Sequence, residues 1–252
     1  MALSILSKMP FQIAALVFTV VSLPAAPPRE LVIAAAANLA DALPAIGAGF
    51  EAATGFRAVF SSGSTAQLAR QIENGAPFDV FLAADTEHID DLIAKGLLIK
   101  SSRADYATGV LALWIPPQSR AHIARVEDLV LASVRTIAIA NPQLAPYGQA
   151  SVETLKNLGI WEKVKSKAVY AGSIAMTKQY GVTGNADAVF SAWPLVFREK
   201  GRLIRVDDKL HHPLTQALAI VKASGNLEAA RAFRAFLLSP RGRGILAQYG
   251  YE

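Results

Sequence analysis

Short apolar runs alternate with amphipathic segments along the chain. Leu31 to Ala36 is a continuous apolar run, which is typical of strands covered on both faces, and Phe78 to Ala84 is a second apolar run. Between them, residues 39–50 carry apolar side chains at helical spacing, so a helix is predicted there, with Asn38 as its N-cap and Gly55 after its end. This order of elements predicts βαβ units, in which the strands lie parallel.

The second half of the chain repeats this alternation. The elements predicted there are strands at 106–115, 136–140, 167–170, 186–191 and 214–221 and helices at 149–158, 174–180, 227–238 and 242–248. The strands at 106–115 and 214–221 are long and apolar, and they are the predicted crossings between two lobes. We therefore predict an α/β fold with a ligand cleft between the lobes. Residues 29–110 and 216–252 form the first predicted lobe, and residues 111–215 form the second.

A hydroxyl-rich turn at residues 61–65, SSGST, separates an apolar run from a helical segment that stops at Gly75. Free N–H groups at a helix N-terminus, together with nearby hydroxyls, form an anion site. Asn38, Tyr147 and Ser173 also lie where a strand ends and a helix begins, the edge at which α/β folds bind ligands. Helix capping alone explains each residue taken singly. Four such loops in one chain favour an anion site made of neutral donors.

Residues 1–28 are predicted to be a secretory signal peptide. Lys8 supplies a positive charge, and residues 11–21 form an apolar stretch too short to span a bilayer comfortably. An N-terminal membrane anchor is the alternative. The mature protein is therefore expected to be exported.

Composition and missing motifs narrow the chemistry. The chain has no cysteine, and it lacks the common serine-hydrolase, zincin and P-loop motifs, so we expect no enzyme. The net charge of +5 comes from scattered basic residues without interleaved aromatic residues, which does not suit nucleic acid. Adjacent His211 and His212 would point to opposite faces of a strand, so a shared metal ion is not expected. His88 is expected to be isolated and solvated.

Four stretches resemble the periplasmic molybdate-binding proteins of ABC transporters, the ModA family. They are ELVIAAAANLADAL, FSSGSTAQLARQIENGAPFDVFLAAD, IAIANPQLAPYGQASVETLKNLG and the closing SPRGRGILAQYGY. The resemblance covers essentially the whole chain after residue 28. It implies the type II periplasmic-binding-protein fold, two α/β lobes that close on molybdate or tungstate, and delivery to an ABC permease. It further implies a monomer without a cofactor and without direct protein ligands to the metal.

The resemblance also implies which residues bind the oxyanion. By analogy they are Ala37, Asn38, Ser64, Thr65, Tyr147, Ser173 and Ile174. Many members of the family carry a serine where this chain has Asn38, and a tyrosine where it has Phe190-Ser191. Members with an asparagine in the first loop and Pro-Tyr-Gly in the third also exist, and this sequence is more similar to them. Which hydroxyl completes the ligand shell is left open.

Two alternatives remain at this point: a protein for sulfate or another tetrahedral oxyanion, and an enzyme on the same fold. A fully deprotonated oxyanion accepts hydrogen bonds only, whereas phosphate, which is protonated near neutral pH, needs an acceptor. Asp85 is predicted to cap its own helix and therefore not to serve as that acceptor. Ser64→Ala and Thr65→Val are predicted to weaken binding without unfolding the protein, whereas capping alone predicts lost stability and unchanged affinity.

Overall fold

The computed structural model describes residues 30–252, so the predicted signal peptide lies outside the described residues. The strands are β1 (Glu30–Ala36), β2 (Arg57–Gly63), β3 (Val80–Leu82), β4 (Ala104–Gly109), β5 (Leu111–Ile115), β6 (Ile137–Ala140), β7 (Ala168–Ala171), β8 (Ala188–Ala192), β9 (Arg202–Arg205) and β10 (Leu214–Ile220). The helices are α1 (Leu43–Thr54), α2 (Thr65–Glu73), α3 (Glu87–Ala94), α4 (Pro146–Asn157), α5 (Trp161–Val164), α6 (Ile174–Val182), α7 (Trp193–Val196), α8 (Leu227–Leu238) and α9 (Pro240–Gln248). Strands and helices thus alternate as the apolar pattern predicts.

The first sheet has the strand order β2-β1-β3-β10-β4. Strand β1 pairs in parallel with β2 and β3, whereas β10 pairs antiparallel with β3 and β4. The sheet is mixed because the chain returns to it through β10. The carboxyl ends of the parallel strands meet at one edge, so Ala37, Ser64 and Ala84, which follow them, lie along that edge.

The second sheet has the order β7-β6-β8-β5-β9. Strand β6 pairs in parallel with β7 and β8, and β5 pairs antiparallel with β8 and β9. The loops after β6 and β7 therefore open at the same edge of this sheet. These loops lead into α4 and α6, whose N-termini carry the candidate residues of the second lobe.

The long strand predicted at 106–115 is two strands in the structure. Strand β4 ends at Gly109 in the first sheet and β5 begins at Leu111 in the second, with Val110 between them. The chain crosses between the lobes here, and it returns through residues 211–213 into β10. Because β10 begins at Leu214, the predicted boundary between 215 and 216 falls inside this strand.

Helix ends follow the local sequence signals. Gly55 follows α1 with φ 77°, and Gly96 lies two residues after α3 with φ 72°; both conformations favour glycine. Helix α4 begins at Pro146, earlier than the predicted start at residue 149. The reason is that proline suits the first turn of a helix, where its missing N–H costs no hydrogen bond.

Each lobe has its own apolar core, and the two meet at the strand ends. In the first lobe Phe50 packs edge-on against Phe233, with ring centroids 5.2 Å apart. The core of the second lobe includes Ala36, Ala37 and Ala84 of the first lobe. The edges that carry the candidate residues are therefore in contact. No helix within residues 30–252 is long and apolar enough to cross a membrane.

Candidate functional site

Asn38 lies just after β1, in a 3₁₀ helix formed by Ala37–Leu39. The prediction that it caps α1 is wrong, because α1 begins only at Leu43 and its N-cap position is Ala42. The Asn38 side chain is instead buried, and its Nδ2 donates to Gln216 Oε1 at 2.9 Å. Its Oδ1 has no hydrogen-bond partner among residues 30–252. The amide thus belongs to the interior of the cleft.

Ser64 and Thr65 begin α2, and both are buried. Ser64 occupies the N-cap position, yet its side chain makes no capping hydrogen bond, and its Oγ has no partner within the described part of the chain. Thr65 Oγ1 accepts a hydrogen bond from the Ala84 backbone N at 3.2 Å. A buried hydroxyl without a partner is costly, so the Ser64 hydroxyl indicates a place for a ligand.

Tyr147 lies in the first turn of α4 and is 1% exposed. Its hydroxyl accepts a hydrogen bond from Gln216 Nε2 at 3.1 Å, and burial raises its pKa above the ordinary tyrosine value, so the group stays protonated. The next residue, Gly148, packs directly on the end of β6. A Cβ at this position would overlap the Ala140 carbonyl, so only glycine allows α4 to start here.

Ser173 is the N-cap of α6, and its Oγ accepts from the Met176 N at 3.4 Å, as the sequence predicts. Ile174 is the first residue of α6 and is 3% exposed. Helix α6 contacts the 3₁₀ helix Ala37–Leu39 of the first lobe. Helix α6 of the second lobe therefore lies against the loop after β1 of the first lobe.

The two lobes also touch through the backbone beside the hydroxyl-rich turn. Ala66 N, in the first turn of α2, donates to Leu144 O in the loop before α4, at 3.1 Å. Together with the Asn38–Gln216–Tyr147 contacts, this bond brings three of the predicted loops to one place. Helix α6 joins them through its contact with the 3₁₀ helix. That the seven predicted residues contact a ligand stays a prediction.

Three buried side chains at this site were not singled out from the sequence: Tyr106, Gln216 and Tyr251. Gln216 has one visible signal, because it is a polar residue inside the apolar run LTQALAI of β10. Tyr251 lies in a stretch quoted for the resemblance, without a role. Tyr106 begins a predicted apolar strand, and its sequence carries no further signal.

Two basic residues near the site, Lys178 and Arg70, are paired elsewhere or exposed. Lys178 Nζ lies 3.2 Å from Asp41 Oδ2 of the first lobe and 2.9 Å from Glu199 Oε1 of the second, so its charge is compensated and it joins the lobes. Arg70 is exposed on α2. The groups gathered at the candidate site are accordingly neutral hydroxyl, amide and backbone donors.

The prediction of an isolated, solvated His88 is wrong. His88 Nδ1 lies 2.7 Å from Asp85 Oδ2, and Asp85 Oδ1 accepts from the His88 N at 3.2 Å. The hydrogen bond that the His88 ring donates to the Asp85 carboxylate raises the pKa of His88. Asp85 therefore holds the start of α3, although Thr86 occupies the N-cap position. Asp85 also borders a cavity of about 330 Å³ that lies between the lobes, beside α4.

Another cavity, of about 560 Å³, lies away from this site. It is lined by Val32 and by residues 72–73, 75–79, 96–97 and 221–226, at the end of the first sheet where β3 begins and β10 ends. Its walls are mainly apolar, whereas the cleft gathers hydrogen-bond donors. Within residues 30–252 no group of three or more histidine or acidic residues is arranged to hold a metal ion.

Two α/β lobes joined by two crossings, with helix N-termini and buried hydroxyls meeting between them, define a solute-binding protein of the two-lobed class. The sequence model of the family described as bacterial extracellular solute-binding protein matches residues 31–252. The chain belongs to this family, and its fold is the type II periplasmic-binding-protein fold.

Individual relatives of the chain agree with this family assignment. The chain is 35% identical to the molybdate-binding protein ModA of Rhodobacter capsulatus, over 91% of this chain and 90% of that one. It is 36% identical to ModA of Azotobacter vinelandii, over 90% and 91%. The solved periplasmic molybdate-binding protein of Azotobacter vinelandii superimposes with a TM-score of 0.84 at 30% identity, covering 88% of this chain and 98% of that one.

Proposed function

We propose that this protein binds molybdate, and also tungstate, in the periplasm and delivers the oxyanion to the membrane permease of an ABC transporter. The protein acts as a monomeric carrier, without a cofactor and without catalysing a reaction. The signal peptide at 1–28 directs its export. Its similarity to two molybdate-binding proteins at 35% and 36% identity supports the choice of ligand.

The observation that carries the proposal is the buried Ser64 hydroxyl, which has no partner within residues 30–252. It stands at the N-terminus of α2, where backbone N–H groups and the helix dipole favour an anion. Tyr147 adds a second hydroxyl, which stays protonated because burial raises its pKa. The loop at Ala37 and Asn38 and the α6 N-terminus at Ser173 and Ile174 supply the remaining donors.

Such a site suits a tetrahedral dianion that carries no proton. Every donor is neutral, so the ligand is held by hydrogen bonds and dipoles rather than by an ion pair. A hydrogen bond to a charged group contributes about 1.5–3 kcal/mol, and several together give tight binding once the closed lobes exclude water. Sulfate has the same charge but is smaller, so the size of the closed cleft discriminates against it.

Isothermal titration with molybdate, tungstate, sulfate and phosphate tests the proposal. The expected result is saturable one-to-one binding of molybdate and tungstate and much weaker binding of sulfate. No response to either molybdate or tungstate would refute it, and binding of sulfate alone would establish the alternative ligand.

The phosphate arm tests the acceptors at the cleft. Both carboxylate oxygens of Asp85 are hydrogen-bonded to His88, so Asp85 should not accept a hydrogen bond from protonated phosphate. Phosphate binding that disappears in Asp85→Asn would contradict this. Phosphate binding that survives the substitution would point to another acceptor, and Asn38 Oδ1 is a buried amide oxygen that lacks a partner among the described residues.

A further inference from the structure

Five polar side chains form one buried hydrogen-bonded cluster at the cleft: Asn38, Tyr106, Tyr147, Gln216 and Tyr251. Each is at least nine-tenths buried. They come from the loop after β1, from β4, from α4, from β10 and from the segment that follows α9. We call this set the polar cluster. It joins two predicted ligand residues to three residues without an assigned role.

Gln216 lies at the centre of the polar cluster. Its Oε1 accepts from Asn38 Nδ2 at 2.9 Å; Tyr106 Oη lies 2.8 Å from Oε1 and 3.0 Å from the Ala83 O, so its one proton has both as acceptors. The Asn38 donor fixes the orientation of the amide, so Nε2 is directed to Tyr147 Oη at 3.1 Å. The pairing of β10 with β4 shifts register between Gln216 and Ala217, and such a bulge turns a side chain away from its regular direction.

The orientation of Gln216 determines whether the Tyr147 hydroxyl is available to donate a hydrogen bond. Because Gln216 Nε2 donates to the Tyr147 oxygen, this contact does not use the hydroxyl proton of Tyr147. Burial keeps that proton in place by raising the pKa of the hydroxyl. The Tyr147 hydroxyl can therefore donate a hydrogen bond to an oxyanion.

Tyr251 holds Asn38 in a similar way from the other side. Its Oη donates to the Asn38 backbone O at 2.7 Å and accepts from Asn38 Nδ2 at 3.1 Å. Both protons of Nδ2 are thus engaged, one by Gln216 and one by Tyr251. This arrangement fixes both the backbone and the amide plane of Asn38 where the chain enters the cleft.

The segment that carries Tyr251 is bound to the second lobe. Arg198 Nη2 donates to Gln248 O at 2.9 Å, and Arg205 pairs with both carboxylate oxygens of Glu252, at 2.7 and 3.3 Å. Helix α9, which precedes this segment, packs on the first lobe against α1 and α8. Residues 248–252 therefore connect the two lobes beside the crossings at Val110 and β10.

We propose that Gln216 and Tyr251 are positioning residues of the anion site: Gln216 directs the Tyr147 hydroxyl to the ligand, and Tyr251 fixes Asn38, with residues 248–252 linking both to the closed arrangement of the lobes. The proposal rests on the proposed function, since it concerns the same site. Neither residue touches the ligand. Each acts by holding a group that does.

Tyr251→Phe removes one hydroxyl and keeps the ring. Tyr249→Phe is the matched control, because Tyr249 lies in the same segment with its ring 5.1 Å from the Arg198 guanidinium and is outside the polar cluster. Molybdate titration of folded protein should give a Kd raised at least tenfold for Tyr251→Phe and within twofold of wild type for Tyr249→Phe. A merely structural role predicts a lower melting temperature for Tyr251→Phe with the Kd unchanged.

Gln216→Asn is the second variant, because it keeps the amide but is too short to reach both Asn38 and Tyr147. It should also raise the Kd at least tenfold, and it decides the outcome if Tyr251→Phe does not fold. A Kd within twofold of wild type in the folded variants overturns the positioning role. Wild-type protein is titrated first: its failure to bind molybdate refutes the proposed function, whereas unaffected variants refute only the positioning role.

Discussion

Ser64→Ala and Thr65→Val should have different consequences, although both remove a hydroxyl from the same turn. The Ser64 Oγ has no hydrogen-bond partner within residues 30–252, so its removal leaves no protein group unpaired. Thr65 Oγ1 accepts from the Ala84 N at 3.2 Å, and both groups are buried. Thr65→Val therefore leaves a buried N–H without an acceptor.

These contacts set the magnitudes. Ser64→Ala should not lower the free energy of unfolding of the ligand-free protein, and it should weaken molybdate binding by about 1.5–3 kcal/mol, which is roughly 10- to 150-fold in Kd. Thr65→Val should lower the free energy of unfolding by about 1–3 kcal/mol, the cost of the unpaired Ala84 N–H. The sequence predicted that neither substitution unfolds the protein; the contact with Ala84 adds the expectation that Thr65→Val also costs some stability.

Urea denaturation without ligand measures the stability of each variant, and calorimetric titration measures its affinity. Thr65→Ser is the control, because it keeps the hydroxyl that accepts from Ala84. The reasoning is refuted if Ser64→Ala destabilises the ligand-free protein by more than about 1 kcal/mol while its affinity is unchanged, since that is the signature of a lost helix cap.

Three further predictions follow from individual contacts. Gly148→Ala should lower the free energy of unfolding by about 1–3 kcal/mol, because its Cβ would overlap a strand carbonyl; in Gly244→Ala, where nothing lies within 4 Å, denaturation should show no loss. Because burial raises the pKa of Tyr147, titrations between about pH 7 and 9.5 should give a constant molybdate affinity, whereas a decline there would contradict a protonated donor. Asp85 raises the pKa of His88, so their pair stabilises the fold fully below about pH 6.5 and less as the pH rises through the raised value. Thermal unfolding should therefore show that His88→Gln costs more at pH 5.5 than at pH 8.5, by about 0.2–1 kcal/mol, and an equal cost at both would contradict the pairing.

Elements with strong local signals were predicted well from the sequence. The apolar run before Asn38 is β1, and the helix predicted at 227–238 is α8 with the same bounds. The errors lie where a tertiary contact decides the outcome. The strand predicted at 106–115 divides at Val110 because each half pairs in a different sheet, and strand pairing is not encoded in the local apolar pattern.

The candidate site also contains features set by the local sequence and features set by tertiary contacts. Ser173 was predicted as a helix cap and is one, since capping depends on neighbouring residues only. Asn38 was also predicted as a cap, but its side chain is instead held by Gln216 and by Tyr251, which are 178 and 213 residues away in the sequence. Such partners have no signature in the sequence around Asn38.

The sequence by itself determined the alternation of strands and helices and the hydroxyl-rich turn before α2. It could do so because apolar periodicity, turn residues and helix starts act over a few neighbouring positions. Only the tertiary structure decided which polar groups meet in the cleft. Burial requires each polar group to find a partner, and in this protein the partners of Asn38 and Tyr147 come from β10 and the segment after α9. The difference between the Ser64 hydroxyl, which lacks a partner within residues 30–252, and the Thr65 hydroxyl, which has one, likewise depends on contacts that local sequence does not specify.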